Sequence, residues 1–573
     1  MKNKILLVAF FATFFSFSQN KYLTYFEKGN GNQSANYEQV ISFFNELDKQ
    51  FQTVLMQEMG PTDSGKPLHI VVFSADKDFN YNNKNKAVVL INNAIHAGEP
   101  DGVDATMMLF RDLCFGKIKV PKNTIVVAIP VYNIGGMLNR NTTSRTNQNG
   151  PEEYGFRGNG RNFDLNRDMI KSDTKNCKSL VELFHKINPD IFIDNHVSNG
   201  ADYQYALTYI QTEPDKLGNA LGDFLKTKMT PALVADLKLK NIETTPYVDS
   251  LKETPDSGIV QFFDSPRYTT GYTSLFNCLG YVVETHMWKP YAQRVNATYT
   301  FMESVLKFAD NNTSIIKEYR EKNSKQYQIG DRFPIQWELD TTVVSKMRFL
   351  GFEASHKKSE VTTGNRLFYD RNKPYEKEIK FYPKYSAKSE VVIPKAYVVP
   401  QSWWTVIALL KENKCLYQQI KKDTSIVVEN YKIASFKTSN TPYEGHYPHR
   451  NTELIKTVDK IDFSKGDFLF EVTPKSLKFL LETLEPQAID SFFNWNFFDT
   501  ILQQKEGYSD YVFEDLAAQI LSKNPNLKKE LQEKITSDEK FAKSPEAQLD
   551  WVHKHSKYYE KAHLQYPIYR VLK

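Results

Sequence analysis

His96 and Glu99 stand three residues apart in the stretch Asn92-Asn93-Ala94-Ile95-His96-Ala97-Gly98-Glu99-Pro100-Asp101-Gly102, a glycine-bearing turn able to fold both side chains toward one point. An imidazole and a carboxylate at that spacing are metal-ligand types. The turn follows directly on the apolar run Ala87-Val88-Val89-Leu90-Ile91, which reads as a buried strand. In open α/β sheets, ligands gather beyond the carboxyl ends of the strands. A second run, Ile191-Phe192-Ile193-Asp194-Asn195-His196, ends on a histidine with the same placement. His96, Glu99 and His196 therefore make a two-histidine, one-carboxylate set suited to one Zn2+ per chain, with a fourth position left for water. A third strand-like run, Tyr281-Val282-Val283, leads into Glu284-Thr285-His286. Glu284 is placed to accept a proton from water attacking a carbonyl, and His286 is a rival metal ligand.

Between the first two clusters lie Ser144-Arg145-Thr146-Asn147-Gln148-Asn149-Gly150 and Gly160-Arg161-Asn162-Phe163-Asp164-Leu165-Asn166-Arg167-Asp168. Arginine and asparagine among glycines suit an anion site, because a guanidinium holds a carboxylate through two hydrogen bonds. A solvated glycine-rich loop is the plainer alternative.

These residues need a scaffold. From about 65 to 310, short apolar runs alternate with amphipathic stretches, as in an α/β fold with a mostly parallel or mixed sheet flanked by helices. Residues 101–115 carry apolar positions at helical spacing, and 307–322 reads as a closing helix. From about 325 to 475 the chain turns rich in tyrosine, valine and lysine, which predicts a β-rich accessory region; 476–573 returns to helical periodicity. The aromatic groups Trp403-Trp404 and Phe492-Phe493-Asn494-Trp495-Asn496-Phe497-Phe498 read as core rather than as binding platforms. Lys2 and Lys4, the apolar run from Ile5 to Phe17 and the small residues Ser16 and Ser18 describe a signal peptide over 1–19, too short to span a bilayer. The expected destination is secreted or periplasmic, with the mature domain over 20–320 and no transmembrane segment.

Composition removes other classes. With 73 Lys+Arg against 68 Asp+Glu the net charge is +5 over 573 residues, and no dense basic run marks a nucleic-acid partner. Cys114, Cys177, Cys278 and Cys415 are scattered and contain no CxxC, so they form no cysteine zinc site, although one pair could be bridged.

His-x-x-Glu, Asp-x-Asn-Arg, a histidine at one strand end and a glutamate at another, in this order, resemble the zinc carboxypeptidases similar to carboxypeptidase A. The resemblance covers residues 65–310 and implies roles position by position. His96, Glu99 and His196 match the zinc ligands; Asp164 matches a carboxylate orienting a ligand histidine. Asn166 and Arg167 match the pair that grips the substrate's free α-carboxylate, and Glu284 the general acid/base. Arg145 is placed as the arginine that polarises the scissile carbonyl, with Arg140 and Arg157 as competitors. The tyrosine that caps the substrate is placed at Tyr272, with Tyr268 as its alternative.

The implied function is that of a secreted zinc metallocarboxypeptidase acting on peptides or proteins with a free C-terminus. A zinc amidase or deacylase acting on cell-wall peptides or N-acyl amino acids would share the metal and Glu284 without needing Asn166-Arg167. A non-enzymatic peptide-binding protein would have no reason to keep the full ligand set.

Overall fold

The computed structural model describes residues 22–572. The signal segment expected over 1–19 lies outside the described residues. The centre is an eight-stranded mixed sheet: β1 (Val54–Pro61), β2 (Pro67–Phe73), β3 (Ala87–Asn92), β4 (Thr124–Ile129), β5 (Ile191–Ser198), β6 (Leu207–Gln211), β7 (Thr244–Pro246) and β8 (Leu279–His286). They lie in the order β1-β2-β4-β3-β5-β8-β6-β7. The four central strands β4, β3, β5 and β8 are parallel, and the outer pairings β1·β2, β2·β4 and β8·β6 are antiparallel.

Consecutive apolar residues in β3, β4 and β5 are explained by burial on both faces. Val88, Leu90, Ile125, Val127 and Phe192 face one core; Ala87, Val89, Ile91, Val126 and Ile193 face the other. The second core is covered by α1 (Tyr37–Gln50), α2 (Asp101–Cys114) and α4 (Tyr291–Ser324), and the first partly by α3 (Lys175–Ile187). Helix α3 starts where Thr174 Oγ1 accepts from Cys177 N–H and stops at Asn188, whose φ of 49° turns the chain directly into β5. Helix α4 runs longer than the 307–322 expected from polarity, because its first turns, carrying Tyr291, Val295, Phe301 and Met302, are buried under the sheet.

The accessory and C-terminal regions share a sheet and much of a joint body, beside which the helices over 510–554 pack on a small core of their own. The strand Tyr569–Val571 lies between Ala396–Val399 and Thr424–Thr438, so the last residues complete the sheet begun near 396. Tyr397, Phe470, Phe479 and Trp495 join the same core as Leu90 and Phe192, so this body covers one face of the central sheet. A helix, Trp404–Glu412, interrupts the expected β-rich text. Phe492, Phe493, Trp495 and Phe498 are buried as expected, whereas Trp404 is exposed. All four cysteines are free thiols, so no pair is bridged. Among the described residues no helix is long and apolar enough to cross a membrane.

Candidate active site

Strand β3 ends at Asn92, and the chain turns through His96 and Glu99 before entering α2. Tyr132 N–H and Asn133 N–H donate to the carbonyls of Asn93 and Ala94 at 2.9 and 3.1 Å, pinning this turn to the neighbouring crossover. Gly98 has to be glycine, since a Cβ there would stand 2.7 Å from Arg145 Nε and 2.9 Å from the Gly155 carbonyl. In the parallel pair β5·β8, His196 and Glu284 are direct register partners and project on the same face. Asp164 caps the short 3-10 turn Leu165–Arg167, accepting from Asn166 N–H at 2.9 Å. The loop bearing Arg145 is held by the buried Arg294, which donates to the carbonyls of Asn149 and Gly150 and pairs with Asp101 at 2.8 Å.

The two Glu99 oxygens divide between the histidines: Oε1 lies 3.1 Å from His96 Nδ1, and Oε2 3.1 Å from His196 Nδ1. One ligand atom from each of the three residues falls within 4.8 Å of the others, and all three residues are buried. The outer ring nitrogens meet carboxylates, His96 Nε2 at 3.0 Å from Asp164 Oδ1 and His196 Nε2 at 3.1 Å from Asp194 Oδ2. The hydrogen bond to Asp164 favours a proton on His96 Nε2, and the Asp194 carboxylate draws one to His196 Nε2 by charge, which leaves the Nδ1 lone pairs facing the Glu99 oxygens. Four acceptor atoms converging in a buried place require a cation or protons between them, so the donor set fits a divalent ion such as zinc.

The charges respond to this crowding. Burial alone would raise the Glu99 carboxyl, but His96 and Arg145 hold it well below its ordinary value; Arg145 Nη2 stands 2.6 Å from Oε1. Burial also works against ionised Asp164, and His96, Arg157 and Arg167 outweigh it and lower its pKa. Burial would lower His196, yet Asp194 and Glu99 hold it well above the usual imidazole range. Glu284 goes the other way: burial pushes it up to about 8, His196 opposing and Glu99 and Asp194 adding to the rise. Its Oε2 has no hydrogen-bond partner. A carboxyl kept ready to hold a proton is what a general acid/base requires.

A cleft of about 370 Å³ joins these groups, with Arg145, Arg157, Asn166, Arg167, Tyr247 and Tyr268 around the metal-type cluster and Glu284. A family model described as zinc carboxypeptidase matches residues 40–222, the stretch that carries His96, Glu99, Asp164, Asn166, Arg167 and His196. The chain carries a zinc carboxypeptidase domain. Carboxypeptidase 2 of Trichophyton rubrum is 21% identical over 443 residues, spanning 71% of this chain and 73% of that protein. Among solved structures, a metallo-carboxypeptidase from Burkholderia cenocepacia shares 16% identity at a TM-score of 0.37, covering 48% of this chain and 70% of that one. The carboxypeptidase A from Helicoverpa armigera shares 14% identity at a TM-score of 0.36, covering 49% and 74%.

In this zinc carboxypeptidase domain the residues expected in the site come together with one clear exception. Tyr272 is fully buried, and its hydroxyl meets Asn413 Oδ1 at 2.6 Å and His185 Nε2 at 3.2 Å, away from the cleft. It therefore does not cap a substrate. Helix Thr269–Ser274 turns Tyr272 into the core and leaves Tyr268, just before its first turn, at the cleft wall. Arg140 is also elsewhere, donating to Ser34 and to the carbonyls of Ala35 and Glu153. Arg145 and Arg157 both line the cleft. His286 is buried against the Ala201 carbonyl at 3.0 Å and takes no part in the ligand cluster. Sequence reasoning missed Asp194, although strand alternation places it two residues before His196 on the same face. It also missed Thr269, whose Oγ1 donates to Asp194 Oδ2 at 2.6 Å, and Tyr247, which no local pattern marks.

Proposed function

We propose that the chain is an exported zinc metallocarboxypeptidase that hydrolyses the C-terminal peptide bond of peptides or proteins. One observation carries this reading: a single cleft holds the two-histidine, one-glutamate cluster, a glutamate whose buried Oε2 has no hydrogen-bond partner, and an Asn-Arg pair. His96, Glu99 and His196 would hold one zinc ion, which when bound supplies Lewis acidity and makes water a nucleophile near neutral pH. Glu284 takes the proton of the attacking water and returns it to the leaving amine. Arg145 and Arg157 lie on the Glu99 side of the cleft, where they can stabilise negative charge on the carbonyl oxygen. Asn166 and Arg167 grip the terminal carboxylate, with the Arg167 guanidinium over the Tyr268 ring at 4.5 Å. Tyr268 takes the capping position in place of Tyr272. Export rests on the N-terminal segment alone, and mature protein beginning near residue 20 outside the cytoplasm is its check.

The test uses a pool of N-acetylated tripeptides with free or amidated ends, read by mass spectrometry with and without chelator. Free-acid peptides should lose their last residue in a zinc-dependent way, and the amidated pool should persist. Arg167→Ala should lower kcat/KM on the free-acid pool by about 10²–10³, the loss expected when a charged partner of a buried anion is removed. Equal turnover of both pools would favour the amidase reading instead.

A further inference from the structure

The Asn166-Arg167 pair is braced from behind by a segment 276 residues further along the chain. The strands Thr424–Thr438 and His449–Phe463 form a hairpin of the accessory body, and the connection between them, residues 439–448, reaches across to the turn carrying Asp164 and Arg167. Its tip is a two-residue turn in which Tyr443 and His446 exchange both backbone hydrogen bonds, at 2.7 and 3.1 Å. Glu444 has φ 48° and Gly445 φ 78°. Successive positive φ values define the type I′ turn, whose first central position favours asparagine, aspartate or glycine. Glutamate is strained there, and backbone strain of this kind gathers at functional sites.

The strained side chain has a definite use. Glu444 Oε2 accepts from Asp164 N–H at 2.8 Å. Beside it, the Tyr443 hydroxyl accepts from Arg167 Nε at 2.9 Å, while its ring stacks on Trp495 at 6.1 Å and 19°. His446 Nε2 stands 2.8 Å from Asp173 Oδ2, and a Cβ on Gly445 would come within 3.1 Å of Phe163. Arg167 is thus fixed on three sides: Nε by Tyr443, Nη1 by the Asn166 carbonyl at 2.9 Å, and its flat face by Tyr268. Nη2 donates no hydrogen bond to the described residues, and Arg167 lines the cleft.

We propose that Tyr443 and Glu444 are positioning residues of the substrate-carboxylate clamp. Tyr443 sets the rotation of the Arg167 guanidinium, and Glu444 holds the backbone at Asp164, which in turn orients His96. The accessory body is then part of the active site and sets how tightly a free C-terminus is held. This rests on the reading of Arg167 as the carboxylate clamp.

The experiment uses the full chain loaded with zinc and the free-acid and amidated tripeptide pools. Tyr443→Phe keeps the ring on Trp495 and removes only the hydroxyl. It should raise KM on the free-acid pool about tenfold, with kcat within about twofold and the unfolding temperature unchanged. Glu444→Ala should raise KM in the same direction, and Glu444→Gln, whose amide oxygen can still accept from Asp164 N–H, should restore it. A wild-type protein that is inert, or that turns over both pools alike, removes the clamp reading itself. A wild-type protein selective for free acids, with KM unmoved in both Tyr443→Phe and Glu444→Ala, overturns the positioning role. So does a fall in kcat and unfolding temperature together without a KM change, since that marks a purely structural defect.

Discussion

Glu284→Gln should leave the fold and the bound metal in place and cut kcat on free-acid peptides by about 10³–10⁴. The substitution keeps the shape of the side chain and removes its capacity to carry a proton. The metal-type cluster does not need it, since His96, Glu99 and His196 have their own partners in Asp164, Arg145 and Asp194. A second readout needs no substrate. In the metal-free protein the Glu284 carboxyl is raised from 4.5 to about 8. A carboxyl raised on folding favours its protonated form. Wild type should therefore lose stability as pH rises from about 4.5 to 8, because the unfolded chain releases that proton first. Glu284→Gln should remove this slope, so the variant gains on wild type at pH 8 and matches it near pH 4. Denaturant melts of the chelator-treated proteins at the two pH values measure the difference. Wild-type turnover in the variant would take Glu284 out of the chemistry.

His196→Ala should lose both zinc and activity. It deletes one of the two nitrogen ligands and leaves Glu99 and Asp194, two buried carboxylates, without the imidazole that separates them. Elemental analysis of purified protein should fall from one zinc per chain to a small fraction. Wild type should gain roughly 4 kcal/mol of stability at zinc a thousandfold above its dissociation constant, and the variant should gain almost none. Stoichiometric zinc in His196→Ala would dismantle the ligand set. Loss of activity with zinc retained would point instead to a role for His196 in substrate binding.

The contrast between Tyr272 and Tyr443 shows where sequence reading stops. Both are tyrosines in unremarkable local text. Tyr272 lies close in sequence to Glu284, yet its helix rotates it into the core against Asn413. Tyr443 lies in a different body of the chain and ends on Arg167. A side chain's direction in a short helix, and the landing place of a long hairpin, are set by what they pack against. His196 and Glu284 behave differently. Each sits at the end of a run apolar enough to be a buried strand, and strand alternation and parallel register then place both on one face.

The amino-acid sequence by itself determined the central buried strands and the gathering of His96, Glu99, His196 and Glu284 at strand ends, because consecutive apolar residues force doubly buried strands. Tertiary structure alone decided which arginines reach the cleft, that Thr269 meets Asp194, and that an accessory hairpin braces Arg167. Those contacts join residues dozens to hundreds of positions apart, and long-range packing, unlike the period of a strand, leaves no local trace in the order of residues.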